Sequence, residues 1–405
     1  MSRLRIRVRD WLARSFPRVF PWVNRAQRLA VDVWIAAFPA RYIGRYVLAQ
    51  DEAAAGRPTV RHLQLMHPAE RVRIGAGAGE PFAKVALYYR DGFFDRPDVF
   101  VCELPQARVH VRSGMVCTSE FELVADRGME PRRFAYAAFR GRRPQRLQRV
   151  EGLWSTLAFC HANNFWHWLV DCLPKLQTLE RAAAGRPLTL FMPATALEFQ
   201  RFTLETLLPP NFRLEYLDPE ADAWLQPEVF LWSSLVSHLC IGLLPADYYP
   251  RIREPIFRRL GLPPVHAKSE RIYVSRRQAA HRRVRNEEAL CELLAGYGFR
   301  TVLAESLPFA QQVALFHRAE IVVGPHGAGL ATAMFSGDID VVALYPMPNP
   351  GNYFHSLACG LGQRHHFVCH AEKDEDDDFV ADLPALQRVF DNELRLSRRA
   401  AGDEA

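Results

Sequence analysis

Between positions 270 and 360 one pattern repeats: a short run of β-branched and apolar residues, a polar or glycine-bearing turn, then a longer stretch with apolar residues three and four apart. The runs predict strands over 271–275, 300–303, 321–323 and 340–345, and the stretches predict helices over 287–297, 309–318, 328–335 and 353–359. Strand, helix, strand in regular alternation builds a parallel sheet with right-handed crossovers, whose ligands bind at the carboxyl ends of the strands. The amino-terminal half is less regular. Strands are expected over 84–89, 99–104, 109–111, 121–124, 188–192, 213–217 and 228–232, and helices over 163–179, 199–208 and 248–260, which gives a mixed α/β unit.

Between and beyond these units the signals are those of connectors. Residues 49–81, rich in Ala, Gly and Glu, read as a linker, and Gly261-Leu262-Pro263-Pro264 stops the helix before it. The acidic run 372–378 reads as a solvated loop ahead of an amphipathic helix over 383–396. The organisation expected is a basic amphipathic leader and linker over 1–80, an amino-terminal α/β domain over 81–262, a Rossmann-like domain over 263–382, and a terminal helix and tail over 383–405.

Composition narrows the class. With 405 residues, 49% of them hydrophobic, the chain can build two or three real cores, so disorder is not the default. The eight cysteines are scattered without a C-x-x-C pair, which fits reduced cytosolic thiols, and His365, His366, Cys369 and His370 lack a second ligand pair at metal spacing, so no metal is expected. Positive charge is local: residues 1–50 hold ten arginines against Asp10 and Asp32, a net +8 where the whole chain carries +6. Trp11, Phe16, Phe20 and Trp22 interleave with those arginines, a composition suited to an anionic membrane surface or an acidic partner; a solvated leader is the plain alternative. No nucleic-acid partner is expected. The longest apolar candidate, 29–39, falls far short of a membrane span of about 20 residues and contains Asp32, and no apolar signal-peptide core precedes it. A cytoplasmic protein, peripheral at the inner face of a membrane, is the expectation.

Three constellations could carry chemistry. Val322-Val323-Gly324-Pro325-His326-Gly327-Ala328-Gly329-Leu330 runs a buried strand into a glycine turn and a helix start, where unpaired N–H groups suit a diphosphate. Alone, the same spelling also describes an ordinary βα turn. Just after the first strand of the same sheet come Arg276 and Arg277, with Arg282, Arg283 and Arg285 behind them; their planar guanidinium groups match phosphate oxygens in pairs. Asn286 and Glu287 open the next helix and could cap it or contact the ligand. In the other half, His167 and Asp171 stand four apart, within the block Asn163, Asn164, Phe165, Trp166, His167. On a helix they share a face, where the carboxylate can hold the imidazole as a general base. Asp338-Ile339-Asp340 has the spelling of a metal-binding sugar-transfer loop but leads into a strand and reads as a turn.

Together these blocks resemble glycosyltransferase family 61. The Asn163–Leu176 stretch is similar to the family's N-N-Y-Y-H-W-x-x-D-x-L-P-R-L, and the Arg276–Phe335 stretch to its R-R-x-x-R-x-I-x-N-E followed by G-P-H-G-A-G-L-T-N. The resemblance implies a GT-B-like fold, two Rossmann-like domains facing a cleft, with the basic leader as an amino-terminal extension. It further implies a nucleotide-sugar donor in the second domain, acceptor contacts from the first, inversion at the anomeric carbon, and no metal or other cofactor. On that reading His167 and Asp171 are catalytic. Arg276, Arg277, Asn286, Glu287, His326, Gly327, Ala328 and Gly329 hold a donor, a uridine diphosphate sugar, and Asn163, Asn164 and Trp166 face the acceptor. The terminal helix is expected to return to the first domain, as in GT-B enzymes. Two positions depart from the pattern: Thr332 stands for an Asn, and Ala343 for a Glu that could grip the donor ribose.

The function expected is sugar transfer to a glycan or lipid-linked acceptor in capsule, exopolysaccharide or lipopolysaccharide assembly. A silent nucleotide-sugar-binding scaffold subunit, suggested by Ala343 and the leader, is the second reading. A Rossmann oxidoreductase would need an acidic ribose ligand about 20 residues past the glycines, where the chain reads Tyr345-Pro346-Met347-Pro348.

Overall fold

Five strands, Glu270–Val274, Phe299–Val302, Ala319–Pro325, Asp340–Tyr345 and Arg364–Cys369, lie parallel in the order second, first, third, fourth, fifth. Every residue of Asp340–Tyr345 is buried, as a central strand covered on both faces requires. The chain order reverses between the first and third strands, and the crevice at their carboxyl ends is where such sheets take ligands. The computed structural model describes residues 46–74, 89–90, 92–129, 147–219, 223–239, 241–263, 270–346, 353–370 and 373–398. The arginine-rich part of the leader and all but the last residue of the strand expected over 84–89 lie outside them.

The amino-terminal lobe is built on Gln148–Thr156, Leu188–Pro193, Phe212–Leu217 and Trp224–Ser233, all parallel, with Trp224–Ser233 folding back beside Gln148–Thr156. Val99–Pro105 and Arg108–His110 extend this sheet antiparallel. Helices Lys175–Ala183 and Glu198–Leu207 supply the crossovers. The architecture is mixed α/β with a parallel core in each lobe. Among the described residues no helix is long and apolar enough to cross a membrane.

Four expectations change. The linker over 49–81 contains a helix, Ala49–Ala54, and strands Arg61–His67 and Glu70–Arg73; Arg61–His67 pairs with Val99–Pro105 at a sheet margin, where exposed polar residues dilute the alternation. Gln148–Thr156 was not foreseen because its first half is polar and solvated and Gly152, at φ +82°, breaks its register. The acidic run is a loop, exposed at Glu375 and Asp376, that also pairs with the arginine turn, as described below. The terminal segment stays on its own lobe: Phe390 packs on Tyr297 and Phe299, with ring centroids 4.9 and 5.2 Å away, and the Tyr297 hydroxyl donates to Asp391 at 2.6 Å.

One apolar core runs through both lobes. Phe309 of the second lobe packs on Phe165 and Phe202 of the first at 5.9 and 5.4 Å, and Trp166 meets Phe354 edge-on at 4.8 Å. On helix Tyr248–Arg259 the Tyr249 hydroxyl donates to the Gly242 carbonyl at 2.9 Å and accepts from the Leu244 N–H at 3.0 Å. It lies so close to Gly360 that a Cβ there would approach its Cζ to 2.9 Å. Tyr249→Phe leaves two buried backbone groups unpaired. It is expected to lower stability by about 1–3 kcal/mol, read as an earlier chemical-denaturation midpoint.

Candidate active site

At the carboxyl ends of the first and third strands of the second sheet, two turns enter the same space. The turn after Val274 carries the five arginines, and the structure divides them. Arg283 pairs with Asp378 at 2.7 Å, Arg285 pairs with Asp374, and Arg277 lies 3.2 Å from Glu287. The acidic run is therefore a clamp: opposite charges and a backbone bridge between Val284 and Phe379 fix the rear of the arginine turn. Arg276 and Arg282 form no ion pair among the described residues. Arg282 donates to the His326 carbonyl at 2.8 Å, and Arg276 donates Nη2 to the His281 carbonyl at 3.1 Å while its guanidinium lies over Gly327. Burial and then the Arg282 charge lower the Arg276 pKa, and burial lowers that of Arg282, though both stay cationic.

The second turn opens a 3₁₀ helix, Ala328–Phe335, tighter than the α-helix expected. The first N–H groups of such a turn have no intrahelical partner. His326 just before it packs against Tyr345 and Phe354 at 4.8 and 5.1 Å, with Nδ1 buried and unpartnered. Burial, then Arg282 and Arg276, push its pKa down to about 3, so the ring is neutral near pH 7.

In the amino-terminal lobe, His167 Nδ1 is 2.6 Å from Asp171 Oδ2; the two side chains are 15% and 1% exposed. They meet through a break in the helix. Pro174 has no N–H to donate, and Trp168–Cys172 forms a π turn, with Leu173 N bonded to the Trp168 carbonyl at 2.8 Å. His161 stacks on His167 at 5.0 Å, and Asn164 Oδ1 caps Phe165–His167 by accepting from Trp166 N at 3.0 Å. A carboxylate holding Nδ1–H leaves Nε2 to take a proton.

Between the two lobes lies a cleft of about 470 Å³ whose lining includes Phe165, Arg276, Glu305, Gly327, Ala328 and Gly329. That is ordinary size for a small-molecule site. A larger cavity of about 910 Å³ opens at the other end of the strands, where Arg271 and Arg364 are already paired with Glu320, Asp338 and Asp340.

The two sequence blocks thus come together, but not every candidate faces the cleft. Asn286 spends both amide atoms on the Ala381 backbone, at 3.0 and 2.7 Å, and Glu287 accepts from Tyr273 and Ser275 as well as Arg277. They position the arginine turn; their polar atoms are occupied. Trp166 is buried in the lobe seam, whereas Asn163 is exposed. Ala343 and Thr332 are fully buried, Ala343 in the core, so neither departure reaches the cleft. Asp338 and Asp340 hold Arg364, consistent with a structural turn. Glu305 is the residue a sequence reading passes over, having no motif around it, and Arg282 is visible there only as one of a cluster.

Residues 165–343 match the family model Glycosyltransferase 61, a span holding both blocks except Asn163 and Asn164. Over that segment the chain is similar to glycosyltransferase family 61. Over 118 residues it is 35% identical to the EGF domain-specific O-linked N-acetylglucosamine transferase of Drosophila melanogaster, covering 28% of this chain and 22% of that one. The chain spans about a fifth of that relative's length. The crystal structure of the bacterial iron-containing dodecameric glycosyltransferase TibC from enterotoxigenic E. coli H10407 is similar over 69% of this chain and 81% of that chain, at 11% identity and a TM-score of 0.27, too slight a likeness to build on.

Two outcomes follow from this geometry. A Cβ at residue 327 would approach Arg276 Cζ to 2.9 Å, and a flexible guanidinium moves more easily than a sheet. Gly327→Ala should therefore weaken binding of inorganic pyrophosphate at least tenfold in titration calorimetry while the melting temperature stays nearly unchanged. The His326 pKa is lowered in the fold, so between about pH 6.5 and pH 3 the unfolded chain binds a proton that the folded chain refuses. Stability should fall with acid through that window, by at most about 1.4 kcal/mol per pH unit from this group, and urea midpoints of His326→Gln should show a shallower slope.

Proposed function

We propose that the chain is an inverting glycosyltransferase that moves a sugar from a nucleoside diphosphate, a uridine diphosphate sugar by the family resemblance, to an acceptor hydroxyl without a metal ion. The observation that carries the reading is the pair Arg276 and Arg282, two half-buried cations without a carboxylate partner among the described residues, set at a glycine turn beside a cleft that Phe165, two residues before the His167 of the His167–Asp171 pair, also lines. Deprotonated by His167 Nε2, the acceptor hydroxyl attacks the anomeric carbon as the bond from that carbon to the diphosphate oxygen breaks. Asp171 holds Nδ1–H and stabilises the imidazolium that forms. The charge gathering on the leaving diphosphate is met by the two guanidinium groups and the N–H groups after Gly327, supplying the counter-charge a metal would otherwise bring. His326, neutral, offers a polar contact rather than a charge.

In this reading the two lobes act as the halves of a GT-B-like enzyme, the second holding the donor and the first the acceptor. The acceptor is a glycan or lipid-linked saccharide of capsule, exopolysaccharide or lipopolysaccharide assembly. Residues 1–50, by their charge and aromatics, would rest on the inner membrane face from the cytoplasmic side. The scaffold alternative rests on Ala343, which lies in the core, and on the basic leader.

His167→Ala should cut transfer by about 10²–10⁴ with the donor dissociation constant within about twofold of the parent. Arg276→Ala should weaken donor binding about 10- to 100-fold. Product analysis and calorimetry with a panel of uridine diphosphate sugars read both. A His167→Ala protein that transfers at parental rate, or that loses donor binding instead, removes His167 from the role of base.

A further inference from the structure

The cavity of about 910 Å³ behind the second sheet holds a cation that the fold does not neutralise. Its volume is that of a small-molecule site. Helix Tyr248–Arg259 brings Arg253 to the wall, half-buried, where Nη2 donates to the Ser336 carbonyl at 2.8 Å and Nε is buried with no acceptor. Burial lowers the Arg253 pKa, yet the group stays cationic, and among the described residues it forms no ion pair. The other half-buried or paired cations of the wall differ. Arg271 Nε donates to Glu320 Oε1 at 2.6 Å, and Arg364 pairs with Asp338 at 2.7 Å and with Asp340 at 2.8 Å. Phe257, stacked edge-on against His317 at 4.6 Å, adds an aromatic ring to the same wall. None of these residues lines the cleft at the carboxyl ends of the strands.

This wall defines the chemistry of an occupant. A guanidinium with unused donors matches the two oxygens of a carboxylate, and a partly buried cation gains most from a partner. Glu254, Glu320, Asp338 and Asp340 stand on the same wall, so a dianion such as a phosphate monoester is repelled by them, whereas a single negative charge is met by Arg253. Carboxylates already bonded to arginine keep lone pairs for hydroxyl donors, and among the described residues Glu320 Oε2 accepts no hydrogen bond. We infer that this cavity binds a hydroxylated monocarboxylate, a sugar acid either free or as a residue of an acidic glycan, with its carboxylate on Arg253 and its hydroxyls toward Glu320. The ring of Phe257 offers apolar surface to the C–H face of the sugar.

The test is titration calorimetry of the full chain, and of Arg253→Gln, Arg253→Lys and Arg276→Ala, with glucuronate, glucose, glucose 1-phosphate and a hyaluronan tetrasaccharide. The parent should bind glucuronate or the tetrasaccharide at least about tenfold more tightly than glucose. Arg253→Gln should lose at least that factor, and Arg253→Lys, which keeps the charge without the fork, should lie between. Arg276→Ala, altered only at the cleft, should bind within about twofold of the parent and prefer the sugar acid to glucose 1-phosphate. Tetrasaccharide binding at least as tight as that of glucuronate supports a glycan residue as the occupant; binding of glucuronate alone supports the free acid. Hydrogen exchange of the parent, which needs no substitution, should show ligand protection over 253–262 and 317–321 and none over 276–282 and 326–329. A parent that binds neither acid, one that binds glucose equally well, an Arg276→Ala protein that takes the phosphate as tightly as the acid, undiminished binding in Arg253→Gln, or protection confined to the cleft segments overturns the inference. Melting curves matched to the parent check that the variants remain folded.

Discussion

A guanidinium lying over a residue with no side chain is the contact on which the rest of the site depends. Arg276 can rest on the third strand's turn only because residue 327 is glycine; its φ is extended, so backbone conformation does not demand glycine there, and the clearance does. This contact joins the carboxyl end of the first strand to that of the third, the two strands that flank the reversal in sheet order. The parallel register that holds these strands also holds the cations against the start of the 3₁₀ helix. A shift of one strand by a residue would separate them.

The lobes are joined by aromatic packing, and that packing also places the chemistry. Phe165 touches Phe309 of the second lobe, Trp166 touches Phe354, and His167, the next residue, meets Asp171 through the π turn ahead of Pro174. Phe354 in turn packs against His326. Rings from Trp166, the residue before His167, thus reach through Phe354 to the imidazole beside the arginines. Such a seam is stiff, since close-packed rings leave little room for rotamer change.

How much of this could be read from the chain depends on where each residue sits. The parallel sheet was legible because its buried strands are unbroken apolar runs, and the His167–Asp171 pair because four-residue spacing on a helix is geometry. Margins were not: Arg61–His67 and Arg364–Cys369 lie at sheet edges, where solvent tolerates polar residues and erases the period of two. Asn286 and Glu287 looked like ligand contacts because polarity beside a motif does not say which way an amide or carboxylate is bonded; both are spent on the backbone and on neighbours. Glu305 was invisible for the opposite reason. It belongs to no motif, and only the adjacency of the second and first strands brings it to the cleft.

The arginine turn shows how such a division is achieved. Five arginines within ten residues repel one another, and the fold relieves three of them with Glu287, Asp374 and Asp378. Each pairing also pins the turn from behind, so neutralisation and positioning are one act. The two left over, Arg276 and Arg282, are neighbours that lower each other's comfort in a partly dry crevice, a cost to the unliganded fold that hydrogen bonds to two carbonyls offset only in part. An anion bound there removes repulsion as well as adding attraction. Binding of an anion there would therefore stabilise the lobe that forms the cleft.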